Sequence, residues 1–354
     1  MRLPLPLGPL LPVLALALLV AGASARAEDE PTTIATIKEE IKRPQIQVFI
    51  ENDVLAGSDR YYTNGIKLGG GGEFPLLGAL LKPIPEAIID VMGREGPDGE
   101  TPRNHLGFFI GQNIYTPKDI GITERQPFDR PWAAWLYLGS VVQRVRGNRL
   151  DTVELDIGMV GPAALGKPVQ SGWHKLVGAA QPKGWSNQIP NEPAFMAAYL
   201  QKRRFGTSTL QIVPHAGITV GTVMTLARVG GIVRIGSRMT GFGPDSIEPG
   251  GSMLQTTREQ ERQKNNGCCE WYLFAGGDYR LVARNIFLDG PMFRDGPSVN
   301  RRTAVHDLST GFALRYRQLN LSLTHIRRSE EFTTPMGGGG KQAFYSLNAG
   351  LQFD

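Results

Sequence analysis

Cysteine is almost absent from this chain of 354 residues: there are two, and they are adjacent, Cys268-Cys269. Neighbouring cysteines rarely join, because the bridge geometry is strained. Two thiolates cannot complete a four-cysteine zinc site either. Beyond residue 27 there is no apolar run approaching the roughly 18 residues that a membrane-spanning helix needs. Charge is sparse, at 20% of residues with a net +5, and Lys and Arg are scattered. No basic stripe is interleaved with aromatics, which speaks against nucleic acid as a partner. The Gly-x-Ser-x-Gly elbow, the His-Glu-x-x-His zinc motif and the phosphate loop are all missing. If the chain is a hydrolase, water rather than serine is the expected nucleophile.

What is present begins with a leader. Arg2 precedes an apolar stretch, Leu3 to Val20, which is interrupted by Pro4, Pro6, Pro9 and Pro12. Ala25-Arg26-Ala27 then supplies a small-x-small cleavage site, with Ala23-Ser24-Ala25 as a second option. Residues 1–27 therefore read as a secretory signal. Residues 28–44 are charged, carry Pro31 and Pro44, and read as a mobile lead-in. The rest, 45–354, reads as one domain.

That domain is a succession of alternating segments. They fall near 45–52, 61–70, 105–115, 132–145, 149–159, 193–203, 208–221, 223–236, 270–284, 303–317, 318–331 and 342–353, about twelve strands in all. In the last, Tyr345, Leu347, Ala349, Leu351 and Phe353 alternate with Ser346, Asn348, Gly350 and Gln352. The expected fold is all-β: an antiparallel transmembrane barrel with a short helix in an extracellular loop. A soluble barrel carries the same alternation in the opposite sense, so the pattern alone does not orient the faces. An even strand count puts both termini on one side. With the N-terminus in the periplasm, 53–60, 116–131 and 160–192 become extracellular. Segments 71–104, 146–148 and 237–269 become periplasmic, with a small apolar helix expected over 76–92. The runs Gly69–Gly72 and Gly337–Gly340 read as flexible segments.

Two extracellular stretches carry chemistry. Glu51 to Gly65 holds Asn52, Asp53, Asp59, Thr63 and Asn64 at a hairpin tip, an oxygen-rich set that suits a hard cation such as calcium. The same residue types are also what turns require. Segment 160–192 can form a helix over Val169–Ala180, with Gln170 and His174 at i and i+4 on one face. A lone histidine is more often structural than catalytic. His105, His215 and His306 fall away from the extracellular rim on this topology. Trp135 and Tyr137 read as an interfacial aromatic belt, and Asp129-Arg130 as an ion pair that orders a loop.

Four places together resemble the outer-membrane lipid A 3′-O-deacylase family. They are Asn52-Asp53 with Tyr62-Thr63-Asn64-Gly65; Gln112-Asn113-Ile114-Tyr115-Thr116-Pro117; Asp129-Arg130 through Leu136; and Asp156-Ile157-Gly158 to Gly161-Pro162, with Gln170, His174 and Gly184-Trp185-Ser186-Asn187-Gln188. The resemblance implies a twelve-stranded outer-membrane barrel that hydrolyses the 3′-linked acyl esters of lipid A with calcium. His174 matches the water-activating histidine, and Asp53, Thr63 and Gly65 match the metal motif. Asn52 and Gln170 match neighbours that position water or substrate. Gln112, Tyr115 and Arg130 are candidate substrate contacts. Glu192, Asp59 or Glu51 could add a metal ligand. The implied partner is lipopolysaccharide in the outer membrane, and the implied state a monomer. Two alternatives stay open: an esterase or phospholipase on another outer-leaflet lipid, and a non-catalytic barrel that keeps the motif.

Overall fold

Alternation at period two commits each segment to a strand with one apolar and one polar face. The computed structural model describes residues 42–57, 60–73, 102–244, 269–335 and 337–353. The leader 1–27, most of the lead-in, Asp59, Cys268 and the 76–92 segment lie outside the described residues. Twelve long strands form the wall: β1 Lys42–Asn52, β2 Tyr61–Glu73, β3 Arg103–Thr116, β4 Ala133–Arg146, β5 Arg149–Val160 and β6 Glu192–Arg203, then β7 Leu210–Gly221, β8 Met224–Ser237, β9 Cys269–Asn285, β10 Ala304–Tyr316, β11 Leu319–Arg328 and β12 Gln342–Gln352. Each pairs antiparallel with its sequence neighbours. The last strand returns to the first, in register from Gln45 opposite Gln352 to Asn52 opposite Tyr345, which closes the barrel and leaves it no open edge.

The faces sort in the membrane sense. Phe108, Leu138 and Ile157 point outward and are each at least 60% exposed. Gln47, Lys67 and Glu154 point inward and are buried, and Lys67 Nζ donates to Glu154 Oε1 at 2.7 Å. A water-soluble barrel would reverse this, so the wall is built to face hydrocarbon. Among the described residues, no helix is long and apolar enough to span a bilayer.

The termini lie at one end with the tight turn at Gly147, whose φ of 54° suits a residue without a side chain. The connections 53–60, 117–132 and 161–191 lie at the opposite end, the loop end, where 286–303 and 329–341 join them. Several local expectations change. Gly69–Gly72 is strand, not a flexible segment; a methyl at Gly69 or Gly71 would strike the carbonyl oxygens of Phe108 or Leu106. Trp135 and Tyr137 are not a lipid-facing belt. They occupy inward positions, are buried, and stack on each other at 3.9 Å inside the barrel. His306 sits near the loop end, exposed, its amide donating to Ser329 Oγ at 3.0 Å. His215 lies mid-strand, its ring held by Asp278 at 2.7 Å.

The lumen is plugged at the loop end. After β9, a single helical turn would be too short to stand alone, yet Ile286–Asp289 is held by an Asn285 cap, whose Oδ1 accepts the Phe287 amide at 3.0 Å. This drives Ile286 and Phe287 into a cluster with Phe49, Tyr62, Tyr115 and Phe344. Phe287 stacks on Tyr115 at 4.0 Å.

Candidate active site on the outer wall

Strand β3 divides the loop end into two regions. Its odd residues, Asn113 and Tyr115, face the lumen; its even residues, Gln112, Ile114 and Thr116, face outward. Lower on the same outer face, Phe108 and Ile110 are bare, but Gln112, Ile114 and Thr116 are buried. The loops 117–132 and 161–191 cover them. Ile114, Ala134 and, partly, Leu136 pack under Ile120, Trp132, Ala164 and Trp185. Gln112 Nε2 donates to the Ala164 carbonyl at 2.6 Å and so ties the loop to the wall.

The loop helix, α1, spans Gly166–Val177. It begins three residues before the sequence-based boundary and includes Pro168. Proline is tolerated there because the first-turn amides have no helical partner to lose. Gly178, at φ 70°, ends the helix with its amide on the His174 carbonyl. The buried stripe is Gly166, Gln170 and His174. Gly166 lies so close to Ala134 and Trp185 that a Cβ would fall 2.5 Å from each. Trp185 Nε1 donates to Gln170 Oε1 at 2.9 Å, which orients the amide. Gln170 Nε2, a buried donor, then has no acceptor among the described residues. His174 Nδ1 meets the Ala180 carbonyl. A carbonyl can only accept, so Nδ1 carries the hydrogen and Nε2 of the neutral ring carries the lone pair.

The second group sits where β1 and β2 meet the rim. A bulge places Tyr62 opposite Tyr115 and Asn64 opposite Ile114, so Thr63 is the extra residue. Asn52 ends β1 and Asp53 starts the following loop, while the bulge itself lies on β2 against β3. Asn52 Nδ2 donates to the Thr63 carbonyl at 3.2 Å, and its Oδ1 accepts the Val54 amide at 2.8 Å. The Asp53 amide reaches the same Thr63 carbonyl at 3.3 Å, and Asp53 Oδ2 accepts the Arg60 amide at 2.7 Å. Gly65 is buried opposite Glu51. Thr63 Oγ1 lies 2.8 Å from Thr116 Oγ1. The outer face of β3 thus joins both groups, touching Thr63 through Thr116 and the approach to α1 through Gln112. Two of the four non-glycine residues with left-handed backbone among the described residues, Tyr61 and Leu165, flank these groups. Such strain gathers at functional sites.

The remaining candidates go elsewhere. Tyr115 belongs to the lumen plug. Arg130 does not pair side chain to side chain with Asp129. It is fully buried, lies 4.9 Å over the Tyr115 ring, and donates to Glu331 Oε2 at 3.0 Å. Burial opposes the charge on Glu331, yet the guanidiniums of Arg130, Arg328 and Arg280 outweigh it and hold the carboxyl below the usual range. Glu51 faces the lumen and accepts from Tyr62 Oη at 2.8 Å. Glu192 accepts the amides of Met292 and Phe293 at 3.0 and 3.1 Å. Sequence reasoning missed Glu331, Phe287 and the orienting role of Trp185. The one legible signal was Asn285 followed by three apolar residues inside a loop.

A closed barrel with a lipid-facing exterior, a plugged lumen and a buried polar helix face against its outer wall defines an outer-membrane barrel protein. A model of the family described as outer membrane protein LpxR matches residues 12–350, and the chain belongs to that family of lipid A 3′-O-deacylases. The fold is similar to that of LpxR from Salmonella typhimurium, at 21% identity and a TM-score of 0.67, over 87% of this chain and 100% of that one. A more distant barrel, the β domain of the Bordetella autotransporter BrkA, matches at 11% identity and a TM-score of 0.42, over 88% of this chain and 98% of that one. No curated protein matches.

Proposed function

We propose that the chain hydrolyses the 3′-linked acyl ester of lipid A in the outer leaflet, with water as nucleophile and His174 as base. Family membership makes this ester the first substrate to consider. The observation that best supports the reading is the polar stripe of α1. Gln170 and His174 are buried against the outside of the wall, at the upper edge of its apolar band, and not in the lumen. An ester in the outer leaflet reaches such a stripe sideways.

The roles follow from the bonds. With Nδ1 committed to Ala180, Nε2 is the atom that takes the proton of water as it attacks the carbonyl carbon. The same proton then passes to the departing sugar hydroxyl, which leaves a free fatty acid. Gln170, turned by Trp185, offers Nε2 as a hydrogen-bond donor for the carbonyl oxygen as it gains charge. Asn52 spends one end of its amide on the bulge and the other on the loop that follows it, so it acts as a positioning residue. Gln112 positions α1 through Ala164. Tyr115 and Arg130 support the rim from the lumen side.

Calcium fits the donor set of the bulge, which is all oxygen: the Asp53 carboxylate, the Thr63 hydroxyl and the backbone carbonyls around Gly65. When bound, it would supply positive charge to the ester carbonyl. Among the described residues no three His, Cys, Asp or Glu side chains converge. A cation here would rest on one carboxylate and neutral oxygens, which predicts weak binding, on the order of 0.1–1 mM as in extracellular calcium modules.

The test is purified protein incubated with lipid A and, separately, with phospholipid, followed by mass spectrometry with and without a calcium chelator. The reading predicts release of 3′ acyl chains from lipid A only, lost on chelation and restored by added calcium. Phospholipid hydrolysis with intact lipid A would replace it.

A further inference from the structure

Helix α1 has three faces. At about 100° per residue, Gly166, Gln170 and His174 form the buried one. Lys167, Ser171 and Lys175 flank it on one side. Val169, Trp173 and Leu176 flank it on the other, and they are not covered: Trp173 is 51% and Leu176 78% exposed. Polar side chains are buried and apolar ones are bare, the reverse of a helix adapted to water.

The wall beneath indicates what covers the bare flank. Phe108 and Ile110 on β3 and Leu138 on β4 are exposed and apolar, part of the lipid-facing band. The next outward positions, Gln112 and Leu136, are where the α1 loop begins to cover the wall. One such step of two residues is only about 7 Å. The apolar flank of α1 therefore takes up where the band ends. A helix with Trp and Leu on one side and Lys on the other suits the boundary between acyl chains and headgroups.

We propose that α1 is an interfacial helix seated in the outer leaflet, with Val169, Trp173 and Leu176 among acyl chains and Lys167 and Lys175 toward the anionic headgroups. Its seating rests on the outer-membrane fold alone. A further consequence, that the bilayer helps hold the His174 face at the depth of the ester, rests on the proposed hydrolysis.

The experiment uses the full chain reconstituted in phosphatidylcholine vesicles whose acyl chains carry bromine, a short-range fluorescence quencher. Trp132, Trp135 and Trp185 are buried, so the exposed emitters are Trp173 and Trp271, and Trp271 lies in the outward band at the terminal end as an internal control. The component lost in Trp173→Phe should be quenched by brominated lipid at least as strongly as the component lost in Trp271→Phe, and only weakly by aqueous acrylamide. Quenching of Trp173 by acrylamide but not by brominated lipid would overturn the proposal, and so would shielding from both, which would mean that protein covers the flank. Leu176→Lys, checked for folding by heat-modifiable gel mobility, should slow hydrolysis of vesicle-embedded lipid A several-fold while sparing a detergent-dispersed short-chain ester. Brominated-lipid quenching with no hydrolysis of any ester would leave α1 in the leaflet and remove the catalytic reading.

Discussion

The two sides of β3 at the loop end are equally dry and built for different ends. On the lumen side, Phe287 stacks on Tyr115, Tyr62 packs against that pair, Arg130 and Arg328 pair with Glu331, and Arg328 pairs with Asp307 as well. Apart from these ion pairs, that side is bulk and close packing, and it stops the barrel mouth. On the outer side, Trp132, Trp185 and Ile114 form a small apolar bed. Polar groups lie on that bed with particular atoms turned in particular directions: Gln170 by Trp185, His174 by Ala180, Asn52 by Thr63. Burial by itself does not distinguish an active site from a plug. What differs is the chemistry: the outer side turns an amide and an imidazole, the groups that the reaction proposed above would use, where the plug has ion pairs and packed rings.

The comparison can be broken most sharply at His174. His174→Ala should lower deacylation by about 100- to 10,000-fold, the usual contribution of general base catalysis, with heat-modifiable gel mobility unchanged. A variant that keeps more than a tenth of wild-type activity would move the base elsewhere. The opposite behaviour is expected in the plug. Arg130→Ala strips the principal partner from a buried carboxylate and should cost roughly 3–5 kcal/mol of stability. Denaturant unfolding measures that cost, and turnover at low temperature should change far less than for His174→Ala.

Smaller effects sharpen the contrast. Trp185→Phe removes the bond that turns Gln170, worth about 1 kcal/mol, so kcat should fall several-fold with KM unchanged. A rise in KM alone would make Gln170 a ground-state contact. The plug also has a pH signature. The folded pKa of Glu331 lies below its unfolded value, so the unfolded chain binds the proton first. Its stabilisation is full above the ordinary glutamate value, roughly pH 4.3, and is lost as pH falls through the folded value. Thermal unfolding between pH 6 and 3 should show Glu331→Gln starting lower and declining less steeply than wild type.

The wall of this barrel was legible in the chain, because period-two alternation needs only nearest neighbours to read. The last strand alone, Tyr345 to Phe353, showed the two faces. The direction of those faces was not legible, since lipid-out and water-out barrels share one pattern; the exposed Phe108, Leu138 and Ile157 decide it. At the site, Asn52, Asp53, Thr63, Gln170 and His174 stood out through motif resemblance. The bulge at Thr63 did not, because an extra residue shows only against a partner strand. Tyr115 and Gln112 looked equivalent in sequence and lie on opposite sides of the wall. Glu331 was invisible and Phe287 showed only as one of three apolar residues after Asn285, since their partners, Arg130 and Tyr115, are far away in the chain.

The central claim is that the chemistry belongs to the outer wall and not to the lumen. The most direct test is mass spectrometry of lipid A from outer membranes of cells making the wild-type chain, His174→Ala or the plug variant Phe287→Ala. The account predicts loss of the 3′ acyl mass with wild type and with Phe287→Ala, and intact lipid A with His174→Ala. Deacylation that survives His174→Ala and vanishes with folded Phe287→Ala would contradict it and put the reaction inside the barrel.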